Sequence, residues 1–148
     1  MGLIYAEIEL INAEDNMLAC RHIIGEEEIK RIRVNMLVDT DSMYLCINEN
    51  IQEFLQLPVL HKRKRQMANG EIVECDVVGP VQLRFGNRSC HLDAMVLPGD
   101  NELLLGAIPM GALDVIIHPS RQELVVNPES LDMAMMELKQ YLRTQYAE

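Results

Sequence analysis

The first forty residues alternate between apolar and polar side chains, the pattern of β-strands with one buried face. The first predicted strand places Ile4, Ala6, Ile8 and Leu10 on one face. A second strand is predicted from Met17 to Ile24, after a polar turn at residues 12–16. The third is predicted from Ile32 to Val38 and runs directly into the polar sequence Asp39-Thr40-Asp41-Ser42.

The middle of the chain predicts one short helix and two β-hairpins. Asn48 has the side chain of a helix cap, and Ile51, Phe54 and Leu55 follow it at helical spacing. Asn69-Gly70 separates two strand-like arms, and Gly86-Asn87 separates the strands Val81–Phe85 and Ser89–Leu97. Asn-Gly favours a tight hairpin because both residues tolerate positive φ.

The last third of the chain predicts short strands, a brief helix and a terminal helix. Leu103-Leu104-Leu105-Gly106 has the composition of a short buried strand, and Pro109 suits the first turn of a brief helix. Two further strands flank the turn at Pro119-Ser120. The helical stripe predicted from Ser130 onward consists of Leu131, Met135, Leu138 and Leu142. Short strands joined by tight turns predict a compact, mostly β domain, either a closed barrel or a sandwich.

Composition and charge narrow the possible functions. The chain has 148 residues, the size of one domain, and a net charge of −10 at pH 7. That charge disfavours binding to nucleic-acid phosphates and to anionic membranes. No apolar run approaches the roughly 20 residues that cross a bilayer, and the N-terminus lacks the basic region of a signal peptide. We therefore expect a cytoplasmic protein whose four cysteines are free thiols.

Two other features have simple structural interpretations. The run His61-Lys62-Arg63-Lys64-Arg65 resembles a nucleic-acid patch, but in an acidic chain it is better explained as a solvated strand arm. The four histidines are far apart and have no metal-ligand spacing, so no metal and no cofactor is expected.

The candidate chemistry lies in three features that follow one another along the chain. An apolar strand ends in an acid and hydroxyls, Leu37-Val38-Asp39-Thr40-x-Ser42. The Asn69-Gly70 hairpin comes next, and the apolar triplet ending in Gly106 comes last. In this order the pattern resembles the retropepsin-like aspartic proteases, most closely the small bacterial single-domain type. The resemblance covers roughly residues 3 to 128.

This resemblance implies both a fold and a site. The fold would be a retropepsin-like closed β-barrel subunit with a flap hairpin, one short internal helix and a C-terminal helix. Residues 1–128 would form the protease domain and residues 129–148 a helical extension. Asp39 would be catalytic, with Thr40, Asp41 and Ser42 in the active-site loop. The substrate-binding residues would be Met67, Ala68, Asn69, Gly70, Leu104, Leu105 and Gly106.

The implied chemistry requires two carboxylates. Peptide hydrolysis in this family uses a pair that shares one proton, one carboxylate acting as base and the other as acid. One chain carries one such triplet, so the second Asp39 is expected from a symmetry mate across a twofold axis. The expected function is a homodimeric aspartic endopeptidase that acts on a peptide or protein substrate.

Asp41 departs from the family pattern, which has Gly at this position. Glycine has no Cβ and lets backbone or substrate approach closely. Asp41 adds a side chain and a charge beside Asp39, so a dimer would bring four carboxylates into one cleft. One alternative is therefore a catalytically silent dimer that binds peptides or acts as a scaffold. Another is an unrelated barrel in which Asp39 only caps a turn.

Overall fold

The computed structural model describes residues 2–98 and 102–136, which form nine strands, three α-helices and two short 3-10 turns. The first elements are β1 (Tyr5–Asn12), α1 (Ala13–Cys20), β2 (Arg31–Val38), β3 (Leu45–Asn48) and α2 (Glu49–Leu55). The next are β4 (Val59–Gln66), β5 (Ile72–Phe85), β6 (Arg88–Leu97) and β7 (Leu104–Leu105). The last are α3 (Ala107–Leu113), β8 (Val115–His118) and β9 (Glu123–Val126). The 3-10 turns are Glu26–Glu28 and Pro128–Ser130.

Six of the strands close into a barrel, which confirms the predicted mostly β, closed-barrel fold. Their order is β1-β2-β7-β3-β6-β5, and β5 pairs back onto β1 to complete the ring. The closing ladder is antiparallel and joins Glu9 to Arg84 and Asn12 to Val81. Among the described strands, β4 pairs with β5 alone and therefore stands at the edge of the sheet.

The alternating pattern of the sequence fills the barrel. Ala6, Ile8 and Leu10 of β1 point inward and are buried, as the pattern predicts. They join Met36 of β2 and Leu105 of β7 in one apolar cluster, in which each fully buried side chain contributes about 1.5–3 kcal/mol relative to exposure. The hairpin of β8 and β9 adds Val115 and Leu124 to this same core.

Strand β5 changes partners in its middle. Residues 72–78 pair with β4, whereas Val81 to Arg84 pair with β1. The register with β6 shifts between Val78 and Val81, at Gly79. Gly79 has φ +156°, and a Cβ there would lie 2.7 Å from Asp93 Oδ1. The glycine therefore permits the bend by which the hairpin of β4 and β5 leaves the barrel wall.

The predicted strand from Met17 to Ile24 is wrong, because these residues form the second half of helix α1 and the turn after it. The Asn12 side chain caps this helix by accepting a hydrogen bond from Asp15 N at 3.0 Å. Asp15 in turn forms an ion pair with Lys30, Nζ to Oδ2 3.2 Å. The cap and the ion pair stabilise the helix, and they outweigh the tendency of a short apolar run to form a strand.

Two further predictions need correction. Of the Asn69-Gly70 pair only Gly70 has positive φ, so the hairpin turns through residues 67–71 rather than through a two-residue turn with both φ values positive. The terminal helix predicted from Ser130 is not formed over residues 131–136, and its remaining positions, including Leu138 and Leu142, lie outside the described residues.

A buried polar cluster attaches the end of the described chain to the barrel. Arg88 is fully buried, donates through Nη2 to the Ser130 carbonyl, and lies 3.6 Å from Asp114 Oδ2. Asp114 accepts hydrogen bonds from Ser130 Oγ at 2.5 Å, Asn127 Nδ2 at 2.9 Å and Met135 N at 3.0 Å. The bonds from Ser130, Asn127 and Met135, in that order, lower the pKa of Asp114 to about 2.

Asp114→Asn should lower the thermal midpoint at neutral pH, and the loss should shrink in acid. The pKa of Asp114 lies below its usual value in the folded chain, so its stabilisation is fully present above about pH 4. It is lost as the pH falls through about 2. Thermal midpoints of wild type and variant between neutral pH and pH 2 measure the effect. Asp132→Asn, an exposed carboxylate in the same segment, is the matched control. A difference that stays constant with pH would contradict the assignment.

Candidate active site

Asp39 lies at the carboxyl end of β2, where two neighbouring strands fix its backbone. Val38 pairs with Leu105 of β7 in a parallel register. The amide of Asp39 donates to the Leu105 carbonyl at 3.0 Å, and the Val38 amide donates to the Ile4 carbonyl at 2.8 Å. These bonds therefore hold the Asp39 backbone in one conformation at the rim of the barrel.

The loop after Asp39 holds its carboxylate from the backbone. The Asp41 amide donates to Asp39 Oδ1 at 3.0 Å, and the Ser42 amide donates to the Asp39 carbonyl at 3.1 Å. Asp39 is half-buried, whereas Thr40 and Asp41 are exposed. One oxygen of this half-buried carboxylate is therefore engaged by a backbone amide of its own loop.

Asp41 stands in ordinary backbone geometry. It is not among the described non-glycine residues with positive φ, which are His22, Gln56, Asp114 and Gln122. The backbone at position 41 therefore does not require glycine for its conformation. Asp41 therefore departs from the family pattern only in its exposed side chain and the charge of that side chain.

Gly106 holds the segment after β7 tightly against the active-site loop. Its amide donates to the Tyr44 carbonyl at 3.1 Å, and the next amide, of Ala107, donates to the Ser42 carbonyl at 2.8 Å. A Cβ at Gly106 would lie 2.6–2.7 Å from Tyr44 O, Met43 C and Ser42 O, all of them backbone atoms. The hydrophobic triplet ending in glycine is thus the scaffold on which the Asp39 loop rests.

The hairpin of β4 and β5 forms a flap whose tip is exposed. Within the tip, the Gly70 amide donates to the Met67 carbonyl at 2.9 Å, and the Glu71 amide donates to Asn69 Oδ1 at 2.9 Å. Met67, Ala68, Asn69 and Gly70 are all exposed. In the middle of β4, the Arg63 guanidinium lies over the Tyr44 ring, 5.2 Å from its centroid. That contact joins the flap to the segment that follows the Asp39 loop.

A groove of about 1080 Å³ lies between the flap, α2 and the start of β7. Its apolar lining includes Leu57 after α2, Leu97 of β6 and Leu104 of β7. Met67 of the flap also lines it. Asp39 is not among its lining residues, but Leu104 pairs directly with Leu37, two residues before Asp39. The groove therefore borders β7, which pairs with the strand that carries the carboxylate.

Charge in the groove is mostly negative. Its carboxylates belong to Glu49, Glu53, Glu74, Asp76 and Glu102, whereas its cationic lining residue is Arg65. Next to Arg65, burial raises the pKa of the Cys46 and Cys75 thiols, and the Arg65 charge opposes that shift. Glu102 accepts a hydrogen bond from the Tyr5 hydroxyl at 2.5 Å, which raises the pKa of Tyr5.

The structure brings some of the sequence-predicted site residues together and separates others. Met67 and Leu104 share the groove. Leu105 is fully buried in the core, and Gly106 packs on backbone, so neither presents a side chain to a ligand. Ala68, Asn69 and Gly70 form the flap tip without lining the groove.

Several groove residues were missed from the sequence. The most informative is Arg65, which belongs to the basic run interpreted as a solvated arm. Arg65 pairs with Val73, and Arg63 with Cys75, so alternate residues of β4 share a face with the apolar residues of β5. The period-two alternation within the run could have separated these two arginines from Lys62 and Lys64.

Residues 2–98 and 102–136 contain no helix long and apolar enough to span a membrane. In the same part of the chain, no group of three or more His, Cys, Asp or Glu side chains is arranged to hold a metal ion.

Comparisons with known proteins identify the family. No curated protein matches the chain. Residues 26–108, more than half of the chain, match the family described as aspartyl protease. The crystal structure of the retroviral protease-like domain of Ddi1 from Leishmania major is similar, with a TM-score of 0.54 and 13% identity over 86% of this chain and 90% of that one. At that identity the likeness shows the fold alone, and together the two matches exclude an unrelated barrel. The chain therefore belongs to the aspartyl protease family and has its retropepsin-like fold.

Proposed function

We propose that the protein is a homodimeric aspartic endopeptidase in which two Asp39 carboxylates activate water for peptide-bond hydrolysis. The observation that carries the proposal is the placement of Asp39, half-buried at the end of β2 with its Oδ1 held by the Asp41 amide. One chain offers one such carboxylate, and the family chemistry needs two that share a proton. One carboxylate removes a proton from water and the other protonates the carbonyl oxygen.

Exposed apolar side chains around the Asp39 loop support a dimer. Leu3 is 72% exposed, Met43 54% and Ile108 43%. These residues lie in segments that bond to one another, since the Ile108 amide donates to the Met43 carbonyl at 2.9 Å and Val38 bonds to Ile4. Apolar side chains grouped on one surface favour association. A twofold axis beside this loop would place Asp39 against Asp39 and Thr40 against the partner subunit.

The remaining assignments belong to the same proposal. Residues 1–128 form the proposed catalytic domain, and residues 129–148 form an extension. The flap residues Met67 to Gly70 cover a peptide, Leu104 contacts it, and Leu105 and Gly106 support the loop from behind. A peptide or protein is the proposed substrate, and the four free cysteines suit a reducing cytoplasm.

A second candidate function is a catalytically silent dimer that binds peptides or serves as a scaffold. The exposed Asp41 side chain favours this function. The bond from the Asp41 amide to Asp39 keeps the residue beside that carboxylate, and the Asp41 charge adds to the negative charge of the cleft. A dimer would hold two Asp39 and two Asp41 carboxylates near one axis. Their mutual repulsion opposes the deprotonated form that a general base requires.

Asp41→Gly should raise kcat/KM by about tenfold or more, equivalent to about 1.4 kcal/mol of barrier, because it removes bulk and charge together. Wild type, Asp41→Gly and Asp41→Asn are compared on a mixed peptide library from acid to neutral pH. Asn keeps the bulk and removes the charge, so rescue by both variants identifies repulsion, and rescue by Gly alone identifies a steric obstacle. With less negative charge, the pH optimum should move to lower pH.

The same series separates the two candidate functions. If either variant cleaves peptides and wild type does not, the protein is a protease whose activity the Asp41 side chain inhibits. If wild type cleaves as fast as Asp41→Gly with the same pH profile, the Asp41 side chain does not affect the cleft. No cleavage by any of the three proteins would favour the silent peptide-binding dimer.

A further inference from the structure

We propose, on the basis of the proposed function, that the groove beside the flap binds an extended peptide segment carrying Lys or Arg side chains, so that the substrate is cationic next to the cleaved bond. Three independent features of the groove define this ligand: an open strand edge, an apolar floor and a negative rim. Each selects a different property of the bound segment.

The open edge belongs to the flap strand β5. Residues Ile72 to Val78 pair with β4 on one side. On the other side the ladder with β6 begins only at Val77, which pairs with Met95. Within the described chain, no strand pairs with that side of β5 over residues 72–76, and Val73 to Asp76 line the groove. A free strand edge at a groove accepts an extended peptide by main-chain hydrogen bonds.

The floor of the groove connects the bound segment to the catalytic strand. Leu97 and Leu104 belong to a small apolar cluster that also contains Cys46 and Cys75. Leu104 pairs with Leu37, and from there the strand runs about 7 Å to Asp39. A peptide lying on Leu104 is therefore within a few residues of the carboxylate. The apolar floor suits aliphatic parts of the bound side chains, including the methylene stems of Lys and Arg.

The rim supplies the preference for cations. Five carboxylates line the groove against one guanidinium, that of Arg65. Asp76 is 3.9 Å from Lys62, and Glu102 accepts from Tyr5, so these two carboxylates have partners. Glu53 and Glu74 form no ion pair with any described residue. Both line the groove, Glu53 from α2 and Glu74 from β5. A basic side chain between them would gain attraction from both, and an acidic one would be repelled.

The test uses three short peptides that share one apolar cleavable pair and differ only in the flanking residues, which are Lys, Gln or Glu. We expect kcat/KM to fall in the order Lys, Gln, Glu, with steps of about three- to tenfold at low salt that shrink at high salt. The double variant Glu53→Gln, Glu74→Gln should reduce the Lys preference. Glu14→Gln, Glu27→Gln removes the same charge at exposed positions on α1 and the first 3-10 turn, and it should leave the preference intact.

A binding experiment separates this inference from the proposed function. The same three peptides, carrying a fluorescent label, are titrated with Asp39→Asn, and fluorescence anisotropy measures how much peptide is bound. Preferential binding of the Lys peptide without cleavage by wild type would retain the groove assignment and reject the peptidase. Cleavage without a charge preference, or a preference that both double variants lose equally, would reject the groove assignment and retain the peptidase. Absence of both binding and cleavage would reject the groove assignment.

Discussion

Gly106→Ala should destabilise the protein by about 3 kcal/mol, the upper end of the usual range for overpacking a dense interior. The reason is steric and not conformational. Gly106 has φ −90° and ψ −173°, which any residue can adopt. Its missing Cβ is what allows the carbonyls of Ser42 and Tyr44 to approach, because a methyl group there would sit 2.6–2.7 Å from both. These are backbone atoms of the active-site loop, and they cannot rotate away as a side chain would.

The neighbouring glycine provides a control of opposite sign. Gly111 lies within α3, and no heavy atom lies within 4 Å of where its Cβ would be. Gly111→Ala should therefore stabilise the protein by about 0.5–1 kcal/mol, the difference in helix propensity. Urea titrations of the two variants give the free energies of unfolding. If Gly106→Ala unfolds like wild type and cleaves peptides equally well, the support of the Asp39 loop by Gly106 is not needed for fold or function.

Those parts of the fold that depend on local periodicity could be predicted from the sequence. The buried faces of β1 and β2 follow from alternation, and the α2 cap at Asn48 follows from its side chain, which accepts from the Ile51 amide at 3.0 Å. Helix α1 could not be separated from a strand by its apolar run alone, since its cap and the Asp15–Lys30 ion pair involve contacts that the spacing does not reveal. Strand β3 has four residues, all buried, which is too short to show a period.

The candidate site was predictable only where it is encoded in consecutive residues. Asp39 and Gly106 belong to recognisable local patterns, and the structure places their backbones within one network of bonds. The groove is different, because α2, β5 and β7 contribute to it from positions far apart in the chain. Its negative rim depends on which face of each element points inward. A net charge of −10 gives no indication of that distribution.

Asp39→Asn should lower kcat/KM by about 10³-fold or more, because it removes both the general base and the shared proton. The side chain keeps its size, and its Oδ1 can still accept the Asp41 amide, so the fold should be retained. Equal thermal midpoints for wild type and variant, together with equal sedimentation, would show that the loss is chemical. Asp132→Asn makes the same change at an exposed carboxylate outside the active-site loop, and it should leave the activity intact.

Mixing the two proteins tests whether the carboxylates act as a pair. When wild type and Asp39→Asn exchange subunits at equal concentrations, random pairing leaves about one quarter of the dimers with two Asp39 carboxylates. Activity at fixed total protein should then fall to about one quarter of the wild-type value, since a mixed dimer has only one carboxylate of the dyad. If activity falls only to about one half, each chain works alone, and a twofold axis at Asp39 has no part in catalysis. Following activity across the whole range of mixtures distinguishes the quadratic dependence from the linear one without any assumption about the absolute rate.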